Sequence, residues 1–128
     1  MKNNQRPTDS ELDIFNILWN RGPSTVRQVH EELSQTKPSQ YTTTLKLMQI
    51  MADKGLLKRD ETDRSHVYHP AVERTEAQQQ MVAHLMDRAF GGSARDLLLG
   101  ALGAKPTSRK ELANLKRLIE DHEKGKKP

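Results

Sequence analysis

The order of local patterns in the first 70 residues constrains the fold of this chain more than any other feature. Three short stretches carry apolar residues at three- and four-residue intervals, and two short extended runs follow them. Such intervals are typical of amphipathic helices. Thr8 with Glu11, and Thr25 with Gln28, have the spacing of a capping box, which predicts where the first two helices begin. The pattern predicts three helices and then a pair of strands.

The third helix is predicted to run from about residue 40 to 54, with Ser39 as a candidate N-cap. The extended runs at 56–59 and 66–69 are separated by a polar stretch, which predicts a β-hairpin. Helix, helix, helix and hairpin, with a tight connection before the third helix, is the order of a winged helix-turn-helix. The buried stripe of the third helix is predicted to consist of Thr44, Leu47, Met48 and Met51.

From about residue 73 the pattern is helical again, and Ser93 and Ser108 are each followed three residues later by an acidic residue, as at a helix start. The middle one of the three predicted helices is apolar on most of its surface and must be buried. Three helices of this size cannot bury it unaided, so we expect a two-fold dimer. The candidate interface residues are Met81, Leu85, Phe90, Leu97, Leu98, Leu102, Leu112, Leu115, Leu118 and Ile119.

The sequence thus predicts a mainly α fold with a small β-hairpin wing. A winged helix-turn-helix DNA-binding domain is expected at 1–71, and a three-helix C-terminal dimerisation domain at 72–128.

Composition narrows the possible functions. The 128 residues include no cysteine, which excludes disulfides, thiolate zinc sites and cysteine nucleophiles. No leader-like segment and no apolar stretch long enough to span a bilayer is present, so we expect a cytoplasmic protein without membrane contact. The net charge of +4 weakly favours a polyanionic partner. The five histidines are scattered over different predicted elements, so we expect no enzyme, no metal and no cofactor.

The exposed face of the third helix is the candidate DNA-reading surface, because this helix of the motif enters the major groove. Threonine, glutamine and lysine can all meet base edges or phosphates. These residues could instead solvate a surface helix. Leu45 and Ile50 lie on or near the same side, and the sequence leaves their roles open. The candidate base-reading residues are Thr42, Thr43, Lys46 and Gln49.

Other candidate contacts flank this helix. Ser24 and Thr25 open the second helix, where backbone amides suit a phosphate, although both could also act as caps. Tyr41 could donate its hydroxyl to a phosphate or pack against the turn. Arg64 and His66 in the wing could touch the DNA backbone or minor groove, or could belong to a solvated hairpin tip.

Four segments, in order and in register, carry a family resemblance: PTDSELDIFNILW, PSTVRQVHEEL, YTTTLKLMQIMADKGLLKRD and HVYHP. With them the chain resembles the penicillinase repressor family, the regulators of the BlaI, MecI and CopY type, along nearly its whole length. The resemblance implies a homodimer that binds a palindromic operator on double-stranded DNA and represses transcription.

Two departures limit what the resemblance implies. In one branch a sensor protease cuts an Asn-Phe bond in the dimerisation domain, and Gly100 and Ala101 stand at the corresponding positions here. This argues against a sensor protease as partner. A copper-binding cysteine hook, found in another branch, is excluded. Two other functions stay open: a winged-helix protein-interaction module, and a ligand-responsive regulator with a pocket in the dimer domain.

Overall fold

A computed structural model describes residues 7–125, in which six helices and three strands follow one another. The elements are α1 Asp9–Arg21, β1 Ser24–Thr25, α2 Val26–Leu33, α3 Tyr41–Asp53, β2 Leu57–Asp60, β3 Val67–Pro70, α4 Arg74–Ala89, α5 Ala94–Ala104 and α6 Arg109–Glu123. The predicted fold class, mainly α with a small antiparallel sheet, is confirmed. Among these residues no helix has the length and apolarity needed to cross a membrane.

The chain divides into two compact units, one ending at His84 and the other beginning at Leu85, so that residues of α4 fall in both. These are units of packing. The boundary between functional domains that the sequence places at 71/72 stays a prediction.

The first two helices begin where the capping boxes predict. Thr8 accepts a hydrogen bond from the Glu11 amide at 3.1 Å, while the Glu11 carboxylate accepts one from the Thr8 amide at 3.0 Å. Thr25 and Gln28 repeat this exchange at the start of α2. Each box satisfies two backbone amides that would otherwise lack partners at a helix start.

The predicted cap of the third helix is wrong by one residue. Gln40, in extended conformation, is the N-cap of α3, and its side chain makes no capping hydrogen bond. Its backbone carbonyl accepts hydrogen bonds from the Thr43 and Thr44 amides. Ser39 therefore lies outside the helix, because the chain stays extended for one residue more than the hydroxyl cap would require.

The sheet has one strand more than the predicted hairpin. β2 and β3 form the hairpin, and β1 pairs antiparallel with the other edge of β3, with Ser24 opposite Tyr68. A two-residue strand leaves no periodic signal in the sequence, and so it was not foreseen. The pairing ties the start of α2 to the wing.

The core of the first unit lies between the three helices and the sheet. Its members come from the three helices and from β2 and β3: Ile14, Phe15, Leu18, Val26, Val29, Met48, Met51, Leu57 and Tyr68. Thr44, Met48 and Met51 are buried as the helical stripe predicts, whereas Leu47 is half-buried at the edge of this core.

Trp19 joins α1 to the segment that precedes α4. Its indole N–H donates to the Val72 carbonyl at 3.1 Å, and the Arg74 guanidinium lies 5.6 Å from the centre of its ring. Arg74 also donates to the Asn20 side chain. These contacts extend the first unit into the beginning of α4, where Ala77 is buried.

The second unit contains the end of α4 together with α5 and α6. Ser93 and Ser108 cap α5 and α6, each accepting from the backbone amide three residues later at 3.0 Å. A Cβ atom at Gly100 would lie 3.1 Å from the Phe90 ring, so α5 packs closely there.

Neither α5 nor α6 has a fully buried residue in the single chain. Leu99 is 60% exposed, the most of any large apolar residue within 7–125. Of the predicted dimer residues, four are exposed: Leu85, Leu112, Leu118 and Ile119. The others are half-buried: Met81, Phe90, Leu97, Leu98, Leu102 and Leu115.

Candidate nucleic-acid interface

The third helix presents a polar face to solvent. Thr44, Met48 and Met51 point into the core, and the side chains about opposite them on the helical wheel are exposed. All four candidate base-reading residues are among the exposed ones: Thr42, Thr43, Lys46 and Gln49. A helix held by one face in this way leaves hydroxyl, ammonium and amide groups free for recognition.

A polar network holds α3 against α2. The buried Thr44 hydroxyl lies 3.1 Å from Nδ1 of His30, and Nε2 of the same ring lies 3.3 Å from the Ser34 hydroxyl. The His30 ring meets the Tyr41 ring edge-on, with centroids 5.7 Å apart. Since both ring nitrogens of His30 have partners, this side chain fixes the start of the third helix relative to the second.

A cleft of about 360 Å³ opens between α2, α3 and the wing. It brings together five of the predicted contact residues, Thr25, Tyr41, Gln49, Arg64 and His66, and Arg27 also lines it. The wing therefore lies beside one flank of α3.

The other predicted residues of α3 lie on its opposite flank. Thr42, Thr43 and Lys46 line a separate shallow depression of about 440 Å³ with Ile50. Ile50 is 40% exposed there, and Leu45, on the cleft side, is half-buried against the core. The two apolar residues whose roles the sequence left open thus differ, since Leu45 belongs to the packing and Ile50 to the surface.

Ser24 is not at the surface. Its side chain is buried, and its hydroxyl donates to the Gly22 carbonyl at 2.8 Å. Contact of a phosphate with the backbone amides at the start of α2 stays a prediction. Thr25 is half-buried and is occupied as the cap of α2. Both hydroxyls make local hydrogen bonds at the helix start, in which Ser24 donates and Thr25 accepts.

The sequence alone leaves open whether Tyr41 packs against its neighbours, and the structure shows that it does. Its ring is in a T-shaped contact with His30, and the guanidinium of Arg27 lies 5.4 Å from the ring centre. The residue remains 37% exposed. The contacts seen favour packing by the ring over a role for the hydroxyl.

Sequence reasoning missed Arg27. The signal was present, since Arg27 follows Val26 in the first turn of a helix whose apolar stripe excludes it. Arg59, in β2, is already engaged: Nε lies 2.7 Å from a Glu61 oxygen, and the guanidinium lies over the Tyr68 ring.

Within 7–125, no group of three or more histidine, cysteine or acidic side chains could hold a metal ion. The polar groups that line the cleft are guanidinium, imidazole, hydroxyl and amide groups, which bind anions and hydrogen-bonding edges.

Comparisons with known proteins find several relatives of this chain. The chain is 35% identical over 92 residues to the transcriptional regulator BlaI of Mycobacterium tuberculosis, which covers 71% of this chain and 67% of that protein. It is 24% identical over 127 residues to the penicillinase repressor of Bacillus licheniformis, covering 99% of each chain. The methicillin resistance regulatory protein MecI of Staphylococcus aureus is 19% identical over 112 residues, covering 88% of this chain and 91% of that one.

The sequence model of the family described as Penicillinase repressor matches residues 7–121. This range contains all six helices and the sheet, apart from the last residues of α6. The protein therefore belongs to the penicillinase repressor family.

Proposed function

We propose that this protein is a sequence-specific DNA-binding repressor that binds a palindromic operator as a homodimer and has no catalytic activity. The observation that carries the proposal is the polar face of α3, exposed beside the wing in a helix-helix-helix-sheet arrangement. In proteins with this arrangement the equivalent helix lies in the major groove.

The residues on that face suit base edges. Gln49 can bond adenine through two atoms, Lys46 can reach guanine or a phosphate, and the threonine methyl groups can meet thymine. Arg64 and His66 in the wing are the candidate contacts to the backbone or minor groove. Phosphate contacts would supply much of the affinity and would make it salt-dependent.

The proposed dimer rests on the C-terminal helices. Their exposed leucines form an apolar surface that a second copy would cover, and a two-fold arrangement would place two α3 helices in successive major grooves. The names of the relatives, a transcriptional regulator and a penicillinase repressor, agree with repression. Bound in this way, the dimer would compete with polymerase. We do not propose a sensor protease as partner, since Gly100 and Ala101 replace the Asn-Phe pair.

The test is fluorescence anisotropy of the full chain with two labelled duplexes across a salt series. One duplex comes from upstream of its own gene and the other is its shuffled counterpart. We expect tight binding to the first that persists at salt concentrations which abolish binding to the second. Absence of binding to either duplex at low salt would contradict the proposal and favour a protein-interaction module.

Two variants and one control sharpen this test. Gln49→Ala should weaken binding to the native duplex by about 1–3 kcal/mol and leave the shuffled one nearly unchanged, because it removes a base contact. Lys46→Ala should weaken both equally if Lys46 touches only phosphate. The matched control is Lys110→Ala, which removes the same charge from the side of α6 opposite its leucines and should have little effect. Unchanged affinity in both α3 variants would exclude this face as the reader.

A further inference from the structure

We propose that Arg27, held across the ring of Tyr41, contacts a phosphate of the DNA backbone alongside α3. This inference rests on the proposed function and adds a contact that the recognition helix itself does not supply. It assigns the cleft between α2, α3 and the wing to the sugar-phosphate backbone, whose charge and geometry match a guanidinium.

The charge of the cleft points to an anion. Arg27, Arg64 and His66 all line it, and no aspartate or glutamate is among its lining residues. The other lining groups are hydroxyl, amide and apolar side chains, so nothing in the cleft neutralises the two guanidinium groups. An anionic ligand would find cations here without competing carboxylates.

The charge of Arg27 is also unengaged. Four other cations of the first unit are paired with carboxylates at 4.0 Å or less: Arg21 with Glu32, Lys37 with Asp13, Lys54 with Glu11 and Arg59 with Glu61. Lys46, Lys58, Arg64 and Arg74 are in no such pair with the residues that the structure describes. Among residues 7–125 Arg27 has no such pair. Its charge is therefore available to a ligand from solvent.

Tyr41 determines where that charge lies. The guanidinium carbon is 5.4 Å from the centre of its ring, and the ring is held edge-on by His30, which is hydrogen-bonded to the buried Thr44. Successive contacts therefore connect the buried side of α3 to Arg27 through His30 and Tyr41. A guanidinium stacked on a ring keeps the N–H donors at its edge free. Arg27 thus lines the same cleft as Gln49.

The first experiment measures the salt dependence of DNA binding for Arg27→Gln in the full chain. The logarithm of the association constant falls with that of salt by about 0.9 per phosphate contact, so a two-fold dimer should show a slope about 1.8 smaller. Affinity should fall about tenfold for each phosphate that Arg27 no longer binds, and equally on the native and shuffled duplexes. The ratio of the two affinities should therefore stay that of the wild type.

The matched control is Arg21→Gln. Arg21 is bound to Glu32, which is five residues from Arg27 and so about 140° away around α2. This variant removes the same charge from the same unit and should leave the slope unchanged. Equal slopes for the wild type and Arg27→Gln would overturn the inference, as would a loss of affinity confined to the native duplex.

A second pair of variants tests the positioning role of Tyr41. Tyr41→Phe keeps the ring and should retain the wild-type slope, whereas Tyr41→Leu should lower the slope nearly as much as Arg27→Gln. Combined with Arg27→Gln, Tyr41→Leu should add little, because both changes remove the same phosphate contact. If Phe and Leu behaved alike, Tyr41 would not position Arg27. Circular dichroism melting of each variant distinguishes weaker DNA binding from unfolding of the protein.

The two proposals can fail separately. A wild-type chain that binds no DNA at low salt would overturn both. Salt-dependent, sequence-specific binding with no change of slope in Arg27→Gln would leave the repressor proposal standing and overturn the phosphate contact alone.

Discussion

The two compact units of this chain differ in how completely they bury their apolar side chains. The unit up to His84 encloses a core of aliphatic, methionine and aromatic side chains, with Ile14, Val29 and Met48 fully buried. In the unit from Leu85, neither α5 nor α6 has a fully buried residue, and Leu99 is 60% exposed. The first has a core of its own, while the second leaves large apolar side chains exposed in the single chain.

Local structure does not explain the difference. Thr8 and Thr25 cap helices in the first unit, and Ser93 and Ser108 cap helices in the second, each with a hydrogen bond from the amide three residues on. Caps are worth about 1 kcal/mol wherever they occur. The units therefore differ in tertiary packing, and changes to packing should separate them most clearly.

The largest expected effect is that of Leu99→Asp. In the single chain this side chain is mostly exposed, so an aspartate costs little unless a second copy covers it. If one does, each buried carboxylate should destabilise the dimer by about 3–5 kcal/mol, and the protein should become monomeric. Sedimentation equilibrium would measure this. The control is Asn114→Asp, which adds the same charge at an exposed polar position of α6. A dimer unaffected by Leu99→Asp would place the interface elsewhere.

A pair of truncations should give the next largest contrast. Leu18→Ala removes a side chain that is 1% exposed and should cost about 2–5 kcal/mol at any protein concentration, because it opens a cavity. Leu118→Ala removes one that is 47% exposed. Its cost should depend on protein concentration, since only a dimer would bury that leucine. Thermal melting at several concentrations distinguishes the two, and equal, concentration-independent losses of stability would argue that α6 has a complete core already.

Much of this architecture was readable from the sequence because strong local signals agree with the packing. The capping boxes located α1 and α2, and the stripe of Thr44, Met48 and Met51 identified the buried face of α3. β1 was missed, since its two residues form a strand only by pairing with Tyr68 and Val67, more than forty residues away. Long-range pairing of this kind has no local signature.

The candidate site likewise has features that the sequence predicts and features that only the structure shows. The exposed face of α3 follows from helical periodicity, and its exposed residues are those expected. Burial of Ser24 and the stacking of Arg27 on Tyr41 depend on the sheet and on the packing of α2 against α3, so sequence spacing could not reveal them. Arginine is common in the first turn of a helix, and only the spatial neighbours of Arg27 distinguish it from other such arginines.

Glu11, in the first turn of α1, forms an ion pair with Lys54, at the end of α3. This ion pair should make the stability of the first unit depend on pH. Burial raises the pKa of its carboxyl, but hydrogen bonds from Lys54 and Thr8 outweigh burial, so that the pKa lies below its usual range. The ionised form therefore stabilises the fold. This contribution is complete above the unfolded-state pKa of about 4.3, and it is lost as pH falls through the lower pKa of the folded state.

Glu11→Gln should accordingly cost about 1–2 kcal/mol near pH 7, since it removes a charge-assisted hydrogen bond to the half-exposed Lys54, and the difference should shrink below about pH 4. Urea unfolding at a series of pH values measures it. Glu31→Gln, at an exposed position of α2, is the control and should show no such trend. A pH-independent difference would mean that the carboxylate acts only by its shape.

The smallest expected effect is that of removing matched caps from the two units. Thr8→Ala and Ser108→Ala each delete one hydrogen bond at a helix start and should cost about 0.5–2 kcal/mol of helix stability. In the first unit the effect should appear in global unfolding, because α1 contributes Phe15 and Leu18 to the core. In the second it should appear first as faster amide hydrogen exchange in α6, and most strongly at low protein concentration, where a dimer would dissociate. If neither the mutation nor the protein concentration changed amide exchange in α6, the helices of the second unit would be stabilised by their own packing.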